Sequence, residues 1–174
     1  LKNYENYFIS SNLLPRKEYT SMSFSSQHLF FDDLELGREW ESLGRTITQS
    51  DIVNFAGVSG DFNPIHMDHE FAASTPFRQP IAHGLLVLSI SSGLGLFAPP
   101  VRTIAFIQFK EWFFKEPVNI GDTIKVRCKI LEIESNSRGR RGTVTWHRQV
   151  INQHGKVVQE GVTVTLVEGR GAKK

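Results

Sequence analysis

The chain has 174 residues, of which 40% are hydrophobic and 22% charged, with a formal net charge of +2. That length suits one substantial core, and the near-average composition excludes collagen-like, coiled-coil and disordered classes. A two-residue basic excess excludes, as a bulk property, the strong positive field of a nucleic-acid or membrane-surface binder, and the single cysteine, Cys128, allows no intramolecular disulfide and fits a cytoplasmic setting.

Residues 1–30 show no sustained period and read as an N-terminal extension, with Tyr4, Tyr7 and Phe8 as candidate docking residues. They lack both the apolar core of a secretory signal and the makeup of a transit peptide. A strand is expected over 38–46. Thr48, with Asp51 three residues on, forms a capping pattern that opens a helix carrying Ile52, Val53, Phe55 and Ala56 and ending near Gly57. Residues 60–65 are expected to be an ordered loop, because Gly60 frees the backbone, Asp61 and Asn63 favour turns, and Pro64 holds Asn63 extended. A short helix is expected over 68–74.

Residues 82–98 read as a helix that is apolar nearly all round, hence buried on most sides. Its longest apolar stretch, 85–90, contains Ser89 and runs into Ser91, Ser92 and Gly93, far short of a membrane span. Beyond Pro99 and Pro100 the period becomes two. Ile124, Val126, Cys128 and Ile130 alternate with charged residues, and Val162, Val164 and Leu166 alternate with Thr163 and Thr165, the mark of half-buried strands with their apolar members inside. Strands over 102–116 and 142–153 complete four in a row, joined by turns at 119–122, 137–141 and 154–155. One strand, then helices, then a run of strands indicates an α+β domain over 31–168, an antiparallel sheet covered by the buried helix. Residues 169–174 read as a tail.

The informative stretch is Val58-Ser59-Gly60-Asp61-Phe62-Asn63-Pro64-Ile65-His66, followed by Ala82-His83-Gly84 at the start of the apolar helix. This resembles the signature Gly-Asp-x-Asn-Pro-x-His of the MaoC-like (R)-specific enoyl-CoA hydratases, with Ala72, Ala73, Pro80, His83 and Gly84 continuing the match. The resemblance covers roughly 34–167. It implies a hotdog fold, a sheet curled around the long helix, and a homodimer or higher homo-oligomer whose sheets join edge to edge. It also implies hydration of a trans-2-enoyl thioester, carried by CoA or an acyl-carrier protein, to the (R)-3-hydroxyacyl product, with no metal or redox cofactor.

Chemistry gives an independent reason to single out these residues. Hydrating a double bond conjugated to a thioester needs a base for water, an acid for the α-carbon, and donors for the developing enolate oxygen. Asp61 and His66, on a segment bent by Pro64, supply the first two, with the assignment of individual protons open. The unpartnered N–H groups at the helix start supply the third, and Gly84 lets an oxygen approach the backbone. Asn63 is expected to fix the loop and the reacting water. The resemblance gives Ser92 a part in setting the catalytic pair.

Blander readings stand beside these. Gly-Asp-x-Asn-Pro alone is an ordinary turn. His66, Asp68 and His69, with Asp61 or His83, form a metal-like set whose members diverge if Asp68 begins a helix. His83 reads as a structural residue at the helix start. Arg138, Arg140 and Arg141, or Lys110, Lys115 and Arg102, are candidates for CoA phosphates, and Phe106, Phe109, Trp112, Phe113 and Phe114 for core, interface or tunnel wall. An acyl-CoA thioesterase on the same fold and a non-catalytic acyl-thioester-binding protein are the alternatives to a hydro-lyase.

Overall fold

The computed structural model describes residues 28–136 and 140–171. Tyr4, Tyr7, Phe8 and Arg138, and most of the expected extension, tail and 137–141 turn, lie outside them. A single-turn helix over Phe31–Asp33 leads to β1 (Glu39–Glu41) and β2 (Arg45–Thr46), so the one expected strand is two short ones. Then come α1 (Gln49–Ser59), α2 (Pro64–Met67), α3 (His69–Ala73) and α4 (Gly84–Gly95). Four long strands follow: β3 (Thr103–Phe114), β4 (Thr123–Ser135), β5 (Arg141–Ile151) and β6 (Val157–Glu168). All pairings are antiparallel, in the order β1-β4-β5-β6-β3 with β2 also on β4. This is the hotdog architecture expected from the sequence.

Local signals explain the element boundaries. Thr48 and Asp51 make a reciprocal capping box on α1. The helix runs past Gly57 to Ser59 and stops where Gly60, at φ 76°, takes the left-handed conformation that glycine adopts without strain. Part of the expected 60–65 loop is helical, because Pro64 at the first position starts α2 with Asn63 as its cap. Asp68 caps α3, which lies within the helix expected over 68–74.

The central helix differs from expectation in two ways. It spans 12 residues, about 18 Å at 1.5 Å per residue, rather than all of 82–98. It is also not covered all round. Leu86, Val87, Ser91 and Gly95 are buried, with Leu86 and Val87 in the core with Ile47, Ile52, Ile124, Val150 and Val158. Leu85, Ser89, Ser92 and Leu96 form an exposed stripe opposite. The apolar face exceeds what one sheet covers.

Two strands also depart from a simple alternation. On β6 Gln159, Thr163, Thr165 and Val167 are buried, along with Val158 and Gly161, whereas Val162, Val164 and Leu166 are half-buried, the reverse of the expected phase. The polar residues turn inward because each has a partner there: Trp146 Nε1 donates to Thr165, Arg148 to Thr163, and Trp112 to Gln159. On β3, register shifts at 103/105, 106/108 and 109/111 re-aim Phe106, Phe109 and Trp112, three residues apart, so that all three line one cavity. A second core lies under this end of the sheet, formed by Leu34, Val126, Cys128, Ile130, Val144, Trp146 and Val167.

Candidate active site

Asp61 lies between α1 and α2 and His66 lies within α2, and three constraints bring them together. Gly60 reverses the chain out of α1. The Asn63 backbone N–H donates to Asp61 Oδ1 at 3.2 Å, while the Asn63 side chain accepts from Ile65 N–H at 3.1 Å, which ties this segment together. Pro64 then sets α2, which carries His66 in its single turn. One carboxylate oxygen of Asp61 and one ring nitrogen each of His66 and His83 lie within 4.8 Å of one another, a span that a single water bridges.

His66 Nδ1 lies 2.8 Å from the carbonyl oxygen of Ile81, to which it donates its proton. That leaves the Nε2 lone pair as the free basic position. Burial pushes the His66 imidazole below its ordinary proton affinity, and the neighbouring His83 acts in the same direction. The Ile81 hydrogen bond and the Asp61 charge oppose this without reversing it. His66 is therefore held neutral at physiological pH. Nothing in the local sequence marked Ile81, whose role is carried by its backbone oxygen.

His83, read from the sequence as structural, is 2% exposed and donates Nε2–H to the Asp61 backbone carbonyl at 2.9 Å. Its ring stacks on His66 with centroids 3.9 Å apart and planes tilted by 31°. The ligand atoms of Asp61, His66 and His83 lie close enough together to hold a cation, which keeps that part of the metal-like set together. His69 instead caps the Gln49 side chain at 3.3 Å, and Asp68 is used as a helix cap, so the wider metal-like set disperses.

Gly84 is the first residue of α4 and shares a cavity of about 410 Å³ with His66, Val87, Phe114, Lys115 and Gln159. Gly84 thus lines the same space as His66. The structure adds a second reason for glycine: a Cβ at this position would sit 2.8 Å from the Phe114 ring. Gln159, 2% exposed, ties the Gly84 carbonyl to the sheet by donating Nε2–H at 2.9 Å while accepting from Trp112 Nε1 at 3.1 Å. Gln159 and Phe114 lie far from Gly84 in sequence and carry no local signal, so sequence reasoning missed both.

Ser92 is not brought to the pair within this chain. Its hydroxyl donates to the Ser89 carbonyl at 2.9 Å, and it lines a different cavity, along the C-terminal half of α4. Three of the candidate phosphate-binding cations are engaged: Arg102 with Glu168 at 2.9 Å, Lys110 with Glu132 at 3.1 Å, and Lys115 with Glu160. Cys128 is fully buried with its thiol pushed up by burial, as expected of an inert core cysteine.

A family described as the MaoC like domain matches residues 33–153. The chain is 41% identical over 114 residues to a 3-hydroxybutyryl-CoA dehydratase of Methylorubrum extorquens, covering 65% of this chain and 71% of that protein. It is 37% identical over 143 residues to an (R)-specific enoyl-CoA hydratase of Rhodospirillum rubrum, covering 82% of this chain and 94% of that one. A crystal structure from Archaeoglobus fulgius, described as a monoamine oxidase regulatory protein, superposes with a TM-score of 0.73 at 36% identity, covering 82% of this chain and 95% of that chain.

Proposed function

The chain belongs to the MaoC-like dehydratase family, and from that premise we propose that it is the (R)-specific member of a hydration reaction in which Asp61 and His66 handle the water. It is a hydro-lyase of acyl thioesters, as its family relatives are. The observation that carries the finer reading is the approach of an Asp61 carboxylate oxygen and a His66 nitrogen to within 4.8 Å, beside the cavity that the Gly84 amide shares. Water held between the two gives up a proton as its oxygen bonds to C3 of a trans-2-enoyl thioester. The other proton transfer of the pair delivers hydrogen to C2, and the Gly84 N–H, at the positive end of α4, stabilises the enolate oxygen between these steps. Asn63 holds the segment in register. No metal or redox group is required, since the hydration is balanced by proton transfers alone.

The partner in this reading is a second copy of the chain. β3 is a sheet edge, and on it Ile104, Phe106, Ile107, Phe109, Phe113 and Phe114 are 45% to 54% exposed. An unprotected apolar edge of this length favours strand pairing between copies. Pairing there would also bring the exposed α4 stripe, with Ser92, near the second copy and so give Ser92 its supporting part. No helix among the described residues is long and apolar enough to cross a membrane, and the reduced, buried Cys128 suits the cytoplasm.

Crotonyl-CoA is the first test substrate. Loss of the enoyl absorbance without release of free thiol, giving (R)-3-hydroxybutyryl-CoA by chiral analysis, is the expected result. Thiol release would identify a thioesterase, and binding without turnover a non-catalytic acyl-thioester protein.

A further inference from the structure

Arg148 is a cation facing the wrong way for a surface residue. It lies on the inner face of β5 between buried Trp146 and Val150, with its guanidinium carbon 5.6 Å from the Trp146 ring. Its Nε–H donates to Thr163 at 3.1 Å. Among the described residues no carboxylate comes within 4 Å of it and no other acceptor is in hydrogen-bond reach, although Arg45, Arg102, Arg127 and Arg170 all have acidic partners. The side chain is half-buried, and its guanidinium opens onto a cavity instead of being sealed in the core. A glycine makes room for it: a Cβ at Gly95 of α4 would overlap its Nη1.

The guanidinium lines a cavity of about 340 Å³ whose walls also include Leu88, Ser92, Leu96, Phe106 and Phe109. Ser92 and Leu96 are exposed, so the space is reached from the open stripe of α4. Apolar walls of this kind take methylene groups, and a planar fork of unpaired N–H donors among them takes a carboxylate through two parallel bonds.

We propose that this cavity receives the acyl part of the thioester and that Arg148 pairs with a carboxylate at its far end, making the preferred substrates dicarboxylic 2-enoyl thioesters. The inference rests on the hydro-lyase reading and narrows its substrate class. Arg148 is then a specificity determinant remote from the reacting carbons, and the proton chemistry at Asp61 and His66 is unchanged by it.

The test measures hydration by the wild-type protein of two CoA-ester series of increasing chain length, neutral trans-2-enoyl and the corresponding ω-carboxylated esters, with Arg148→Met and Arg148→Lys alongside. At the best-fitting length the ω-carboxylated ester should have a kcat/KM roughly tenfold or more above its neutral counterpart. Arg148→Met should abolish that preference by about ten- to a hundredfold while moving the neutral series less than about threefold, the scale of a charge-assisted bond. Arg148→Lys should retain part of the preference. If Arg148→Met does not fold, inhibition of the wild-type protein by saturated ω-carboxylated acyl-CoA against neutral acyl-CoA gives the same comparison. Neutral esters hydrated as well as carboxylated ones at every length, or an Arg148→Met variant that loses stability with selectivity unaltered, would overturn the inference and leave the hydro-lyase reading standing. Hydration of neither series would sink that reading, and this one with it.

Discussion

The two ends of α4 are built on opposite principles. At its N-terminus a short contiguous segment, residues 60–66, supplies a carboxylate and an imidazole, and the helix supplies amide donors. At its C-terminal half the cavity is assembled from α4, three long strands and the residues between, with no contiguous motif. The first end is specified by turn chemistry and the second by register, so changes at the first should abolish the reaction, whereas changes at the second should redirect it.

The sharpest way to break that contrast is at the proposed catalytic pair. Asp61→Ala and His66→Ala should each reduce turnover by about 10² or more, with unchanged circular dichroism because both side chains are at least partly exposed. Near-normal turnover in both would remove the distinction between the two ends. Next in size is Gly84→Val, which should nearly abolish activity by displacing Phe114 and blocking the amide, and should destabilise the fold by about 1–3 kcal/mol as an overpacked site does. A thermal melt of Gly84→Val with Phe114→Ala separates the two effects: recovered stability with absent activity assigns the catalytic loss to the amide.

Gln159→Leu should have a smaller effect. It leaves the Trp112 indole N–H and one bond of the Gly84 carbonyl unmade, costing about 1–3 kcal/mol in denaturant melts. Activity should fall a few-fold through loosened placement of α4, and unchanged stability would show that the tether is dispensable. The mildest probe is pH. Because burial depresses the proton affinity of His66, kcat/KM should stay level down through the ordinary histidine value of 6.5 and fall only below it. The stabilisation from neutral His66 should likewise be complete above 6.5 and be lost as pH drops towards the lower folded-state value. An activity limb at or above 6.5 that is absent in His66→Ala would contradict this environment for the imidazole.

Much of the N-terminal end of α4 was legible in the sequence because its causes are local. Thr48 and Asp51 announce the helix that delivers the chain to Gly60, and Asn63-Pro64 announces the turn that aims His66. The four long strands were legible too, from alternation and from turns such as Gly155 at φ 77°. Illegible were the inward phase of Thr163 and Thr165, the bulges that align Phe106, Phe109 and Trp112, and the uncovered stripe of α4. Each depends on what stands opposite, and a periodic pattern carries no record of its opposite wall.

The sequence by itself determined the order of elements, the fold and the candidates for the reacting side chains, since propensity, capping and turn geometry act between residues a few positions apart. Only the tertiary structure decided that the Ile81 carbonyl sets the tautomer of His66, that Gln159 and Phe114 guard Gly84, and that Arg148 points inward beneath Gly95. Those facts arise from contacts across the sheet and between sheet and helix. Such contacts are fixed by strand register and packing, which no single stretch of chain encodes.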